Sequence, residues 1–223
     1  MCGRFTLRSS PQVLKDEFDL FTWPELAPRF NIAPTQQVPI VRMAVNGQDH
    51  EATLMRWGLI PSWADDIKIG YWLINARADG VATKPSFRTA YKQRRCLVPT
   101  DGFYEWMKIG QAKQPYHIHL PTNRPFALAG LWEHWHHEAE DIDSFTIITT
   151  DANDQVRSLH DRMPVILEKR NYGVWLDPAV AKSPHLQELL KPFVAELVLD
   201  PVSTWVNAPA HDDERCLEQM RPA

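Results

Sequence analysis

Asn46-Gly47 stands between two β-rich runs, residues 38–45 and 52–57. This dipeptide suits the positive-φ positions of a tight hairpin, so the two runs are predicted to pair as antiparallel strands. The plan recurs along the chain. Residues 71–77, 96–99, 103–109, 116–120, 126–133, 145–149 and 165–167 read as further short strands, with Thr100-Asp101-Gly102 as one of the turns. Helical signals are fewer. Ser10-Pro11 supplies an N-cap and a proline at the first helical position, and Val13, Leu14, Glu17 and Phe18 then share one face to about residue 20. Short helices are predicted at 85–93, at 151–159 behind an Asp151 cap, at 172–176 and at 185–190. Asn31-Ile32-Ala33-Pro34 reads as a turn or loop, 58–66 as a loop, and the polar stretch after Asn207 as a mobile tail. No Gly/Ser-rich linker or repeat divides the 223 residues. The expectation is one α+β domain over residues 1–223, with a curved, mostly antiparallel, barrel-like sheet and peripheral helices.

The first residues carry the most distinctive chemistry. A small residue at position two is the usual signal for removal of the initiator methionine, which would leave Cys2 at the amino terminus. That residue would present an α-amine and a thiol on adjacent carbons. The amine titrates near ~7.7–8.0 and the thiol near ~8.5 in model compounds, so both are partly nucleophilic at neutral pH. Such a pair can attack an acyl carbon through sulfur, or an aldehyde through nitrogen with closure to a thiazolidine. The plainer alternative is that Cys2 merely follows a start codon.

Other polar positions suggest supporting roles. Glu105 falls on the strand face of Phe103 and Met107, where loss of hydration would raise its pKa and suit it to general acid/base work; a Glu facing solvent or paired with an arginine is the alternative. Asn75 and Arg77 share a strand face with Leu73 and could position a sugar oxygen and a phosphate, or be ordinary strand residues. His160 follows the predicted 151–159 helix, whose dipole would favour an imidazolium; pairing with Asp161 is the alternative. Trp63 could stack on a base or cap the core. His117 and His119, and the cluster His134, His136 and His137, lack a recognised ligand spacing, so neither a metal nor another cofactor is expected.

Composition narrows the setting. Net charge is −4, but residues 1–100 carry 13 Lys/Arg against 9 Asp/Glu and residues 101–223 carry 11 against 19. A basic surface in the first half is compatible with nucleic acid, although the overall field would not steer DNA strongly. No apolar run approaches the ~20 residues of a membrane span. Three scattered cysteines, Cys2, Cys96 and Cys216, form no disulfide framework, and no secretory leader is evident. An intracellular, cytoplasmic location and a monomer are expected.

Several strings occur together: MCGRF at 1–5, NIAP at 31–34, RWGLIPSW at 56–63, INAR at 74–77, RCLVPTDGFYEW at 95–106, HDRMPVIL at 160–167 and VSTWVN at 202–207. In this order they resemble the SOS-response-associated peptidase (SRAP) domain family, also called abasic-site processing proteins. The resemblance implies removal of Met1 and capture of the ring-opened sugar aldehyde of an abasic site in single-stranded DNA, or at a single-strand/duplex junction. The product would be a thiazolidine that shields the site. It implies Cys2 as nucleophile, Glu105 as acid/base, His160 as proton donor to the sugar oxygen, and Asn75 as the residue orienting Cys2 and the sugar. Arg4 and Arg77 would contact phosphates, with Trp106 and Trp63 as further DNA contacts. Asp79, Thr100, Asp65 and Asp66 depart from the family pattern.

Three other functions share parts of this sequence. An N-terminal-nucleophile amidohydrolase also begins Met-Cys-Gly, but the arginine-glycine-proline-aspartate string used for glutamine is absent. A noncovalent single-strand DNA-binding module would leave Cys2 incidental. A protease acting on other proteins would turn over peptides.

Overall fold

The computed structural model describes residues 2–44, 46–180, 183 and 185–220. Met1 and Val45, on which expectations were placed, lie outside them. In chain order the strands are β1 (Phe5–Leu7), β2 (Arg29–Ile32), β3 (Gln37–Met43), β4 (His50–Trp57), β5 (Asn75–Arg77), β6 (Arg95–Thr100), β7 (Gly102–Ile109), β8 (Ala112–His119), β9 (Phe126–His137), β10 (Glu140–Asp151), β11 (Arg162–Pro164), β12 (Ile166–Leu167) and β13 (Val198–Pro201).

Five of these close on themselves. β10 pairs β4, then β3, β6 and β9 follow, and β9 returns to β10. Closure removes the unpaired edges of an open sheet. β5 and β11 attach to β10, and β12 to β9. A second, open sheet runs in the order β13-β8-β7-β1-β2. Among the described residues all pairings within it are antiparallel, and only β10 with β4 and with β5 is parallel. The expected single α+β domain with a mostly antiparallel, barrel-like sheet is the fold observed.

One apolar core joins both sheets. Trp57, fully buried, stacks on Phe145 at 6.2 Å and meets Phe5 at 5.1 Å, so the barrel and the second sheet touch through aromatics. β6 is buried along its whole length, as its apolar run requires. The helices are α1 (Pro11–Phe18), α2 (Arg88–Gln93) and α3 (Tyr172–Leu176); buried Arg95 donates to the carbonyls of Tyr91, Lys92, Trp175 and Asp177 and so fastens α2 to α3.

Local signals explain most elements. Ser10 accepts from the Val13 amide and Pro11 opens α1, as predicted. In the 44–49 turn Asn46 accepts from the amides of Gln48 and Asp49, and Gly47 takes φ +70°.

Four segments differ from expectation. Residues 29–32 form β2, where a turn was expected at 31–34, because Ile32 pairs with Phe5 across the second sheet. The 71–77 strand is only three residues long. A 3-10 turn, Ile67–Tyr71, precedes it, capped by Asp66, and the aromatics that suggested a strand are exposed, Trp72 at 83%. Residues 152–159 make successive turns instead of a helix. Asp151 ends β10 opposite Arg162, so the chain must reverse at once, and Asn153 rather than Asp151 accepts from the Val156 amide. The stretch after Asn207 is docked: Asp212 accepts from the amides of Phe30 and Asn31, Gln219 bridges Val202, and Cys216 is buried with Tyr104, Val202 and Val206.

Candidate active site

β1 positions the amino-terminal residues. Phe5 pairs with Phe103 and Thr6 with Gly102. The Tyr104 amide donates to the Arg4 carbonyl at 3.0 Å, and one more step of this register sets Gly3 across from Glu105. Gly102 is required at the turn into β7, since a Cβ there would lie 2.3 Å from the His117 ring and 2.8 Å from the Ile118 carbonyl.

Asn75 approaches from the barrel. β5 runs parallel to β10 with Asn75 opposite Ile147, and Asn75 Nδ2 donates to the Cys2 carbonyl at 2.9 Å. Cys2 therefore lies between the barrel and the second sheet. The buried Asn75 Oδ1 has no hydrogen-bond partner among the described residues. Buried polar atoms are nearly always paired, so an open acceptor beside Cys2 marks a position for a donor.

Cys2 is fully buried, and burial, reinforced by the Glu105 charge, pushes its thiol up. Glu105 is itself 3% exposed, and burial raises its pKa while the nearby His160 opposes that rise. The carboxyl is thus biased toward holding a proton, which is the condition for an acid. His160 does not end a helix. Its Nδ1 accepts from the Arg162 amide at 2.9 Å, which puts the hydrogen of the neutral ring on Nε2. The expected helix-dipole effect on this histidine therefore has no helix to supply it.

Arg4, Glu105, Trp106, Lys113, His160 and Asn207 line an open cleft of about 460 Å³. Arg4 Nη1 donates to Asn31 Oδ1 and to the Val206 carbonyl, both at 3.0 Å. Its guanidinium lies 6.0 Å from the Trp106 ring, and Trp106 Nε1 donates to Asn207 Oδ1 at 2.7 Å. A more enclosed apolar cavity, about 270 Å³, lies beside α1 and contains none of the site residues predicted from sequence.

Six of the eight residues singled out from sequence thus converge: Cys2, Asn75, Glu105, His160, Arg4 and Trp106. The other two stand apart from the cleft lining. Arg77 is exposed and held by both oxygens of Asp79, at 2.7 and 3.1 Å. Trp63 is 58% exposed in the loop after Pro61. Lys113, Asn207 and Asn31 were not singled out. Asn31 and Asn207 lie inside the NIAP and VSTWVN strings, which could have flagged them; Lys113 carries no sequence signal.

Comparison with known proteins agrees with this arrangement. Residues 1–209 match the family model described as SOS response associated peptidase (SRAP). The chain is 41% identical over 224 residues to abasic site processing protein YoaM of Bacillus subtilis, covering 98% of each. It is 32% identical to abasic site processing protein HMCES of Gallus gallus, over 85% of this chain and 66% of that one. A crystal structure of a protein from Bacteroides thetaiotaomicron superimposes with a TM-score of 0.87 at 26% identity, covering 99% of this chain and all of that one. With its family strings gathered on one fold and the match running through most of its length, the chain belongs to the SOS response associated peptidase (SRAP) family.

Proposed function

We propose that this protein processes abasic sites in DNA, capturing the ring-opened sugar aldehyde in single-stranded DNA through Cys2 after removal of Met1. The observation that carries the reading is the placement of Cys2: its carbonyl is held by Asn75, and the pairing of Phe5 with Phe103 brings the amino-terminal residues beside the strand of Glu105, which lines an open cleft. Relatives named abasic site processing proteins support it.

The chemistry follows from the groups present. The α-amine adds to the aldehyde carbon, and loss of one water gives an imine. The thiol sulfur then bonds to that carbon while its proton passes to nitrogen, closing a thiazolidine. Net condensation releases one water. A carboxyl raised by burial suits Glu105 to give and take these protons, because a proton donor works best when its pKa is near the working pH. His160 Nε2–H can donate to the sugar oxygen as the ring opens. Asn75 Oδ1 can accept from the new amine and keep its lone pair aimed at the cleft. Because the buried thiol stays protonated, nitrogen attacks first and sulfur second. Removal of Met1 through the same groups is part of this proposal.

The test is direct. The Met-free protein is mixed with labelled single-stranded DNA carrying one abasic site, denatured by heat and run on a gel beside intact DNA. A heat-resistant shifted band with the abasic strand alone, and a mass equal to the sum of the partners less one water, is expected. A folded, Met-free sample that gives no such band would overturn the capture mechanism and favour noncovalent binding.

A further inference from the structure

The cations around the site fall into two groups. On the β5–β11 side each arginine already has a carboxylate: Arg77 pairs with Asp79 and Arg162 with Asp151 at 3.1 Å. On the β7–β8 side the situation is the opposite. Lys108 and Lys113 sit directly across from each other in the hairpin, and both are exposed. Like charges so placed repel. Among the described residues neither has a carboxylate within ion-pair distance. Arg4, on the same side, is bound to an amide oxygen and a carbonyl, which leave its charge uncompensated.

These groups share a face. In the β7–β8 register Trp106 lies opposite Pro115 and Lys108 opposite Lys113, so Lys113 stands one step along from the Trp106 ring. Asn207 continues the wall. Its Oδ1 is occupied by the Trp106 indole, and it lines the same cleft as Lys113 and Arg4. The result is an ammonium, an amide and a guanidinium gathered around one aromatic ring, with Glu105 and His160 also lining the cleft. A grouping of this kind is complementary to an anion carried on a chain with planar rings. A phosphodiester, with the adjoining base against Trp106, has that chemistry.

We propose that Lys113 is a phosphate-positioning residue, which with Asn207 and Arg4 anchors the backbone of the bound strand on the Trp106 side of the cleft. This rests on the reading of the cleft as a DNA site but not on covalent capture. It makes the β7–β8 hairpin, rather than the carboxylate-compensated arginines opposite, the stronger electrostatic hold on the strand.

The experiment is equilibrium binding to a single-stranded oligonucleotide containing a tetrahydrofuran analogue of the abasic site, which has no aldehyde, across a series of KCl concentrations. Wild type is compared with Lys113→Ala, Lys113→Glu and Lys113→Arg, each checked for folding by its thermal transition. Lys113→Ala is expected to weaken binding several-fold and to flatten the plot of log Kd against log salt by about 0.7, the value for one phosphate contact on a single strand. Lys113→Glu weakens binding further, and Lys113→Arg restores both affinity and slope. With aldehyde-bearing DNA, the loss in Lys113→Ala falls on the half-saturating concentration rather than on the maximal capture rate. Wild-type affinity and slope in a folded Lys113→Ala would overturn the proposal, as would a loss confined to the maximal rate. Failure of wild type to form any adduct would count against the capture mechanism alone, because the tetrahydrofuran measurement still decides the role of Lys113.

Discussion

Asn31 and Arg4 are joined by a 3.0 Å hydrogen bond from the guanidinium to the amide oxygen, and the same amide donates through Nδ2 to the carbonyls of Val206, Ala208 and His211. One buried side chain thus couples a residue of the cleft to the carboxyl-terminal segment. Asn31→Ala removes four bonds at once and leaves the Val206, Ala208 and His211 carbonyls with only their second partners. A loss of about 2–4 kcal/mol is expected in urea unfolding. Binding of the tetrahydrofuran oligonucleotide should weaken as well, since Arg4 loses one of its two anchors.

Cys2→Ser keeps the amine and deletes the thiol. An imine can still form but cannot close. No heat-stable adduct is expected from this variant unless borohydride is present, when a reduced adduct should appear on the gel. An adduct that survives heating without reductant would remove sulfur from the mechanism.

Glu105→Gln tests the proton carrier. Capture should slow by about 10²–10⁴-fold, the usual range for loss of a positioned acid/base. Stability should move the other way. The folded pKa of Glu105 lies above its unfolded value, so the native state binds more protons and Glu105 costs stability as pH rises past the ordinary carboxylate range. The glutamine variant should therefore melt higher than wild type at pH 7.5, by about 2–4 °C for each 1 kcal/mol gained, and the difference should shrink toward pH 4.

His117 is buried against Thr6 and stacked on His119, and burial lowers its pKa to about 3, with His119 adding to the effect. A folded value below the unfolded value of about 6.5 means that the unfolded chain takes up the proton first. Stability from this group is full above pH 6.5 and is lost as pH falls toward 3, at about 1.4 kcal/mol per unit. Urea midpoints at pH 7.5 and 5.0 should differ accordingly in wild type, and by less in His117→Asn.

Arg95→Ala should be among the most destabilising single changes in the protein. It frees four carbonyl oxygens at the ends of two helices, and a loss of about 3 kcal/mol is expected. Arg95→Lys should recover little, because one ammonium cannot reach oxygens on both α2 and α3 as the fork does. Chemical denaturation of the two variants measures this.

The sequence announced what depends on short-range pattern. Ser10-Pro11 opened α1, Asn46-Gly47 turned a hairpin, and the alternation through Phe103 and Met107 put Glu105 inside. Cys2, Asn75, Glu105 and His160 stand out by their own chemistry and strand positions, and the family strings imply their roles. What stayed hidden depends on distant partners. Nothing local says that β10 pairs in parallel with β4 and β5, or that Asp151 must end a strand opposite Arg162 rather than cap a helix. Polarity suggested a free tail after Asn207, because the amides that donate to Asp212 lie some 180 residues earlier in the chain. Arg77 and Trp63 illustrate the converse: motif membership placed them near the site, and Asp79 and the 58–66 loop hold them at its margin.

The docked carboxyl-terminal segment also sets when the protein can act during its own synthesis. The cleft begins with Arg4 and is completed by Asn207, and Asn31 cannot fill its hydrogen bonds until residue 211 is in place. A ribosome-bound fragment that ends at β12 has Cys2, Asn75, Glu105 and His160 in hand but lacks one wall. Residues 2–4 leave the ribosome well before residues 207–211, so the cleft around Arg4 is completed only after the chain has grown past residue 211 and folded back on Asn31.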